Sequence, residues 1–192
     1  MIKSTSTLIA LVLLASASVA AQASNCSDIN PNTVITSLNG DDGDQRELLS
    51  AIFPLMRPAL NEYSRNPRTK DSRTLRAGLQ TRACEPVIAM TSGTVERVNL
   101  YYMNTISVTV RLATGDIVQY SHLDSNVNVK KGDAIVRGQV IGQVGNSSIG
   151  DVLQILIIKE GFGDRTIRQL DESMVRNVDN ILMLAEKRSF GN

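Results

Sequence analysis

Tryptophan is absent, histidine occurs once, cysteine occurs twice, and aromatic residues make up 4% of the 192 residues. A core short of rings must be built from Val, Ile and Leu, which fits a compact β domain of ordinary size plus extensions. A single histidine excludes any zinc site built on several imidazoles, and two cysteines far apart in sequence do not replace one. Charge of one sign is also missing. Lys and Arg number 20 against 19 for Asp and Glu, and without Lys3 the two are equal. No basic stripe points to nucleic acid, and no lysine cluster points to an anionic membrane surface. There is no internal repeat, no low-complexity tract and no sustained heptad pattern.

What is present begins with an export pattern. Lys3 gives a positive start, Leu8 to Leu14 an apolar stretch, and small residues follow. Ser18-Val19-Ala20 and Ala21-Gln22-Ala23 both suit signal peptidase. Cleavage is expected after Ala23, with Ala20 as second choice, so that residues 1–23 are a signal peptide. An uncleaved anchor is the alternative, but a stable transmembrane helix needs about 20 apolar residues. Nothing resembling a lipoprotein box precedes Cys26. An exported, periplasmic or secreted chain meets oxidising conditions, which favour joining Cys26 to Cys84; two free thiols are the other possibility. The bridge would staple the N-terminal extension to the start of the β core and stabilise by about 4 kcal/mol if unstrained.

Residues 24–71 read as an arm with one short helix. Asn30-Pro31-Asn32, Asn39-Gly40 and Asp42-Gly43 are turn signals. Leu49, Ile52, Phe53, Met56 and Leu60 have helical spacing, with a kink or restart expected at Pro54. Arg65–Arg73 is a basic run that reads as a solvated loop or as a lid. Strands are expected from Val87 onward. Thr94 to Tyr101 is one. Thr105 to Leu112 alternates, with Ile106, Val108 and Val110 on one face and Ser107, Thr109 and Arg111 on the other, so it should be half-buried. Ala113-Thr114-Gly115-Asp116 turns the chain back into Ile117–His122. Short strands follow near Val127, Ile135 and Val140, and a last one from Leu153 to Lys159. From residue 163 to the end the period becomes helical through Ile167, Leu170, Met174, Val178, Ile181, Leu182 and Ala185, with Asp164 as N-cap and Gly191 past the end. That helix either packs on the β core or binds a partner.

The densest stretch carries a resemblance. Tyr120-Ser121-His122-Leu123, Val129-Lys130-Lys131-Gly132-Asp133 and Gly138-Gln139-Val140-Ile141-Gly142-Gln143-Val144-Gly145 resemble the LytM, or M23, peptidoglycan endopeptidase domain, which carries Y-x-H-L and then V-x-x-G-D-x-V-x-x-G-Q-x-I-G-x-x-G. Pro86–Ala89 and Ser92–Val95 extend the resemblance upstream, over Ser72 to Gly161. It implies a mainly β fold: an antiparallel β-sandwich or hybrid barrel of the LytM (duplicated hybrid motif) type over 72–162, here with an N-terminal helical extension and a C-terminal amphipathic helix.

The family's chemistry is zinc-assisted peptide hydrolysis, with ligands from H-x-G-x-D and H-x-H. Here Arg76 and Gln80 fall at the first motif, and Val152 and Gln154 at the second. Only His122, with Tyr120, remains. A guanidinium cannot ligate a cation and neutral amides are poor zinc ligands, so the resemblance leads to an expectation of no metal and no cofactor. Arg76, Gln80, Tyr120, His122 and Gln154 are expected to line the vacated groove, with His122 and Tyr120 as vestiges of the catalytic site. A Ser121–His122–Asp124 triad is set aside because neighbouring strand residues point to opposite faces.

The expectation is thus a catalytically inactive envelope protein that binds a cell-wall hydrolase or a component of a secretion, pilus or envelope machine. A peptidoglycan-binding module, or a divergent M23 endopeptidase that keeps activity, are the alternatives. The Lys131-Gly132-Asp133 turn also looks like biotinyl-lipoyl barrels of carriers and efflux adaptors, but Lys130-Lys131 precedes the turn and adaptor helices are lacking.

Overall fold

Strands form wherever Val, Ile and Leu alternate with short polar residues. In the computed structural model, which describes residues 26, 48–58, 75–145, 152–165 and 169–191, they are β1 (Ala77–Gln80), β2 (Pro86–Ile88), β3 (Gly93–Leu100), β4 (Ile106–Arg111), β5 (Ile117–Leu123), β6 (Ala134–Ile135), β7 (Val140–Gln143) and β8 (Val152–Ile158). One helix follows, α1 (Val178–Phe190). The expected signal peptide, most of the arm and the basic Arg65–Arg73 run lie outside the described residues.

Six strands form one antiparallel sheet in the order β1-β8-β5-β4-β3-β6, and β2 pairs with β7 in a second. The fold is therefore mainly β and antiparallel, but among the described residues β1 and β6 remain edges, so the larger sheet does not close into a barrel. The expected β4–β5 hairpin is present. Leu112 N donates to Asp116 O, and Gly115 holds a φ of 85° that only glycine adopts freely.

The core lies between one face of the large sheet, the small sheet, the 51–55 segment and α1. Ala77, Leu79, Val108, Val110, Val118, Tyr120, Leu153 and Ile155 meet Val87, Ile141, Phe53, Leu55 and Leu182 there. A smaller cluster, Ile117, Leu156, Ile158, Leu170 and Val175, covers one end of the opposite face.

Several expectations need correction. The N-terminal helix is a single 3-10 turn, Leu48–Ser50. Pro54 lacks an N–H, and the chain beyond the turn is extended: Ile52 N donates to Met90 O, Ile88 N to Pro54 O, and Leu55 bridges Val87. No strand forms at Val127, whereas β1 forms ahead of the expected start. β4 is buried on both faces along its middle, since Ser107 and Thr109 are buried as well as Val108 and Val110.

The C-terminal helix begins at Val178 and not near Asp164. β1 pairs only with residues 152–155 of β8, which leaves the far end of that strand open. Residues 174–176 fill it: Lys159 N donates to Met174 O, Arg176 N donates to Ile157 O, and Val175 bridges Ile158. The apolar spacing of Leu170, Met174 and Val175 is used against the sheet. The N-cap is Asn177, which accepts from Asn180 N, and Gly191 closes the helix in the left-handed region. Val178, Leu182 and Ala185 are buried, Phe190 meets Phe53 edge-on at 5.8 Å, and Arg188 donates to Ala51 O. The helix packs on the core.

Cys26 and Cys84 are joined, with their Cα atoms 5.3 Å apart.

Candidate functional site

The register of three neighbouring strands sets one row of residues side by side. Gly78 of β1 lies opposite Gln154 of β8, which lies opposite Ser121 of β5. Leu153 and Ile155 point into the core, so Gln154 faces the other side of the sheet. Arg76, two residues before Gly78, shares that side by strand alternation. Its Nη1 donates to Gln154 Oε1 at 3.1 Å and to the Tyr101 hydroxyl. The Arg76 guanidinium carbon lies 5.5 Å from the Tyr101 ring centre, a cation–π geometry.

His122 completes the cluster through a bulge. The β4–β5 register shifts between Ile106 and Ser107, and His122 takes a φ of 68°. Gly145 holds the bulge from behind. Its N–H donates to His122 O, and a side chain there would meet that oxygen at 3.2 Å. The His122 ring stands edge-on to Tyr101 with centres 5.1 Å apart. It is 3% exposed, and its Nδ1 has no hydrogen-bond partner. Burial pushes the imidazole pKa down, and the nearby Arg76 charge pushes it further, against an opposing hydrogen bond to Gln154.

The structure brings together Arg76, Gln154 and His122, as the motif positions suggested. Gln80 lies two cross-strand pairs along, exposed opposite Val152. Tyr120 does not line this face, which corrects its expected place. It is fully buried on the core side, where its hydroxyl accepts from Met90 N at 2.9 Å. Tyr101, missed from the sequence, takes its place. It follows β3 at the end of the row Leu100–Ile106–Leu123 and is carried across β4 by the hairpin connection.

The bulge also removes the simple alternation used against a Ser121–His122–Asp124 triad. The triad fails for a different reason. His122 Nδ1 has no hydrogen-bond partner and the ring bonds to Gln154, while Asp124 caps its own turn through Asn126 N and Ser125 Oγ.

Zinc does not fit these residues. Among the described residues no three His, Cys, Asp or Glu side chains come together. Arg76 places a positive donor at the centre, where a metal needs electron pairs. The cluster can donate hydrogen bonds and attract negative charge.

Two expected outcomes follow from this geometry. Tyr120→Phe leaves Met90 N–H buried without its acceptor and should cost about 1–2 kcal/mol, read by urea unfolding. An unchanged midpoint would show that the hydroxyl bond is dispensable. His122 titrates below its usual 6.5 in the folded protein, so its unfolded form binds a proton first as the pH falls. Its contribution is intact above that value and declines below it, by up to about 1.4 kcal/mol per pH unit until the folded group also titrates. Arg76→Gln should move the His122 NMR titration upward, and the sole histidine makes the signal unambiguous.

The model for peptidase family M23 matches residues 76–162. Among solved structures, lysostaphin of Staphylococcus simulans, an antimicrobial peptidase, is 20% identical with a TM-score of 0.51, over 68% of this chain and 50% of that one. A candidate glycyl-glycine endopeptidase LytM from Ruminococcus gnavus is 19% identical with a TM-score of 0.53, over 74% and 64%. LytU is 18% identical with a TM-score of 0.50, over 69% and 90%. At these identities the likeness is one of fold, and the chain spans about half the length of lysostaphin. Among curated proteins none matches.

Proposed function

The chain carries an M23 peptidase-like domain over residues 76–162, and from that premise we propose a protein that has lost catalysis and works in the bacterial envelope by binding. Its partner is a cell-wall hydrolase or a component of a secretion, pilus or other envelope machine. The observation that supports this reading is Arg76. It donates to Gln154 and, after burial, is the second cause that lowers the pKa of His122, so the centre of the cluster holds a fixed cation. Zinc hydrolysis needs a ligated metal with an open position for water, and a guanidinium repels that metal.

Export to the periplasm or beyond belongs to the same proposal. No helix among the described residues is long and apolar enough to cross a membrane.

Zymography on purified cell walls, with and without added zinc, tests the loss of catalysis. No clearing is expected, and a zinc-dependent clearing zone would restore the endopeptidase reading. Co-sedimentation with peptidoglycan sacculi and crosslinking in intact cells then separate the ligands. Crosslinking to an envelope protein without saturable pelleting supports the proposal. Saturable pelleting that resists moderate salt would favour a cell-wall binding module instead.

A further inference from the structure

β3 is longer than its neighbour on one side. β6 pairs only with Gly93 and Thr94, and the turn before it uses Val95, whose N–H donates to Asp133 O and whose carbonyl accepts from Gly132 N. A bulge follows between Val95 and Arg97. Beyond it, β3 pairs with β4 on one side and with no described residue on the other.

The register fixes which backbone groups are left over. Tyr101 N donates to Thr105 O, so Tyr101 turns its backbone toward the β4 side. Antiparallel pairs alternate, so Asn99 and Arg97 do the same, and Val98 and Leu100 turn theirs away. The N–H and C=O groups of these two residues stand along the free edge without a backbone partner among the described residues. Edges are commonly blunted by proline or lysine, and Glu96-Arg97-Val98-Asn99-Leu100 holds neither. Side chains at this edge are uncovered as well. Val98 packs against the core, but Leu100, on the same face by alternation, is 73% exposed, and Tyr102 beyond it is 62% exposed.

We propose that this edge pairs with the same edge of a second copy of the chain, antiparallel about Asn99, joining two six-stranded sheets into one. The segment is complementary to itself in that register. Val98 lies opposite Leu100 of the second copy, and Leu100 opposite its Val98, so the free N–H and C=O groups of each copy meet those of the other. Leu100 gains an apolar neighbour on the core side. Arg97 lies opposite Tyr101 and Glu96 opposite Tyr102, so no like charges face each other. With 20 basic against 19 acidic residues, the whole chain carries no charge that would keep copies apart. Residues opposite each other share a face, so the two-fold axis stands perpendicular to the sheet at Asn99. The Arg76–Tyr101–His122 clusters of both copies then lie on one face of the joined sheet.

A contact of this length is small, so the dimer is expected to be weak and reversible. Sedimentation equilibrium of the purified protein, from about 1 μM to about 1 mM, should show a monomer–dimer equilibrium. Leu100→Pro removes an N–H that only the second copy uses, and Leu100→Lys places a charge on the edge. Each should weaken association at least about tenfold, with thermal melts showing that the variant is folded. Leu100 is exposed, so the lysine variant carries the test if proline disturbs β3. A covalent readout is independent of affinity. Asn99 meets Asn99 of the second copy as a non-hydrogen-bonded pair, whose Cα atoms lie about 4.5 Å apart, within reach of a disulfide. Under mild oxidation Asn99→Cys should form a linked dimer about ten times faster than Lys187→Cys, an exposed position on α1. A monomer at every concentration, association unchanged in both Leu100 variants, or equal linking of the two cysteine variants would each overturn the proposal. If the protein stays monomeric while envelope crosslinking depends on Leu100, the edge takes a strand of another protein and the second copy is wrong.

Discussion

Replacing Cys26 and Cys84 together by serine is expected to lower the free energy of unfolding by about 4 kcal/mol. The bridge closes a loop of 58 residues, so most of its effect comes from restricting the unfolded chain. The native side is well seated. Cys84 N donates to Val144 O, Gln143 donates to Cys84 O, and Cys26 is buried 3.7 Å from Asp124. A loss of that size is a large part of the 5–15 kcal/mol that holds a typical domain together. Urea unfolding of the double variant and of the reduced native chain should agree, since both remove the same constraint. A drop below about 1 kcal/mol would mean that the unfolded chain keeps the two segments together without the bond. The loss should also be felt at the site. The 143–145 backbone that holds Cys84 also takes Asp124 N and donates to His122 O. The His122 ring signal is therefore expected to broaden when the bridge is removed.

The sequence is informative where the chemistry is local. Alternation in residues 105–123 and the Gly115 turn were enough for the β4–β5 hairpin, because strand period and a positive φ are properties of neighbouring residues. An expected export signal and an isolated cysteine pair were enough to expect the Cys26–Cys84 bridge. Arg76 and Gln154 meet because antiparallel register sets their strands side by side, and the motif positions carried that information.

What the sequence concealed depends on tertiary context. Tyr120 and His122, two apart, should share a face, but the bulge sends His122 to the side of Gln154 and leaves Tyr120 in the core. Nothing in Tyr120–Leu123 announces a φ of 68° at the histidine. Tyr101 reaches the site only through the end of a hairpin, so no spacing reveals it. Leu170 and Met174 carry a helical period, yet the open end of β8 captures residues 174–176 as an extra edge and Leu170 packs in the cluster beside it. A periodic apolar pattern says that a face is buried, and what buries it decides the conformation.

Arg176→Ala is expected to destabilise the protein by about 3 kcal/mol, the second large effect. Asp116 is almost fully buried at the β4–β5 turn. Its carboxylate accepts three bonds from Arg176 and one from Glu160 N. Truncating the arginine strands a negative charge in a covered site with one donor left, and the desolvation of that charge sets the cost. Arg176 is itself half-exposed, which places the effect at the lower end of the 3–5 kcal/mol span for broken buried pairs. Asp116→Asn combined with Arg176→Ala should recover part of the loss, because a neutral amide tolerates the site better than an unpaired carboxylate. Hydrogen exchange adds a regional readout. Arg176 immediately precedes the Asn177 cap and also donates its backbone N–H to Ile157 O, so the α1 amides should lose protection before those of β5. A variant within about 0.5 kcal/mol of the parent, with no recovery in the double variant, would show that solvent already screens the pair.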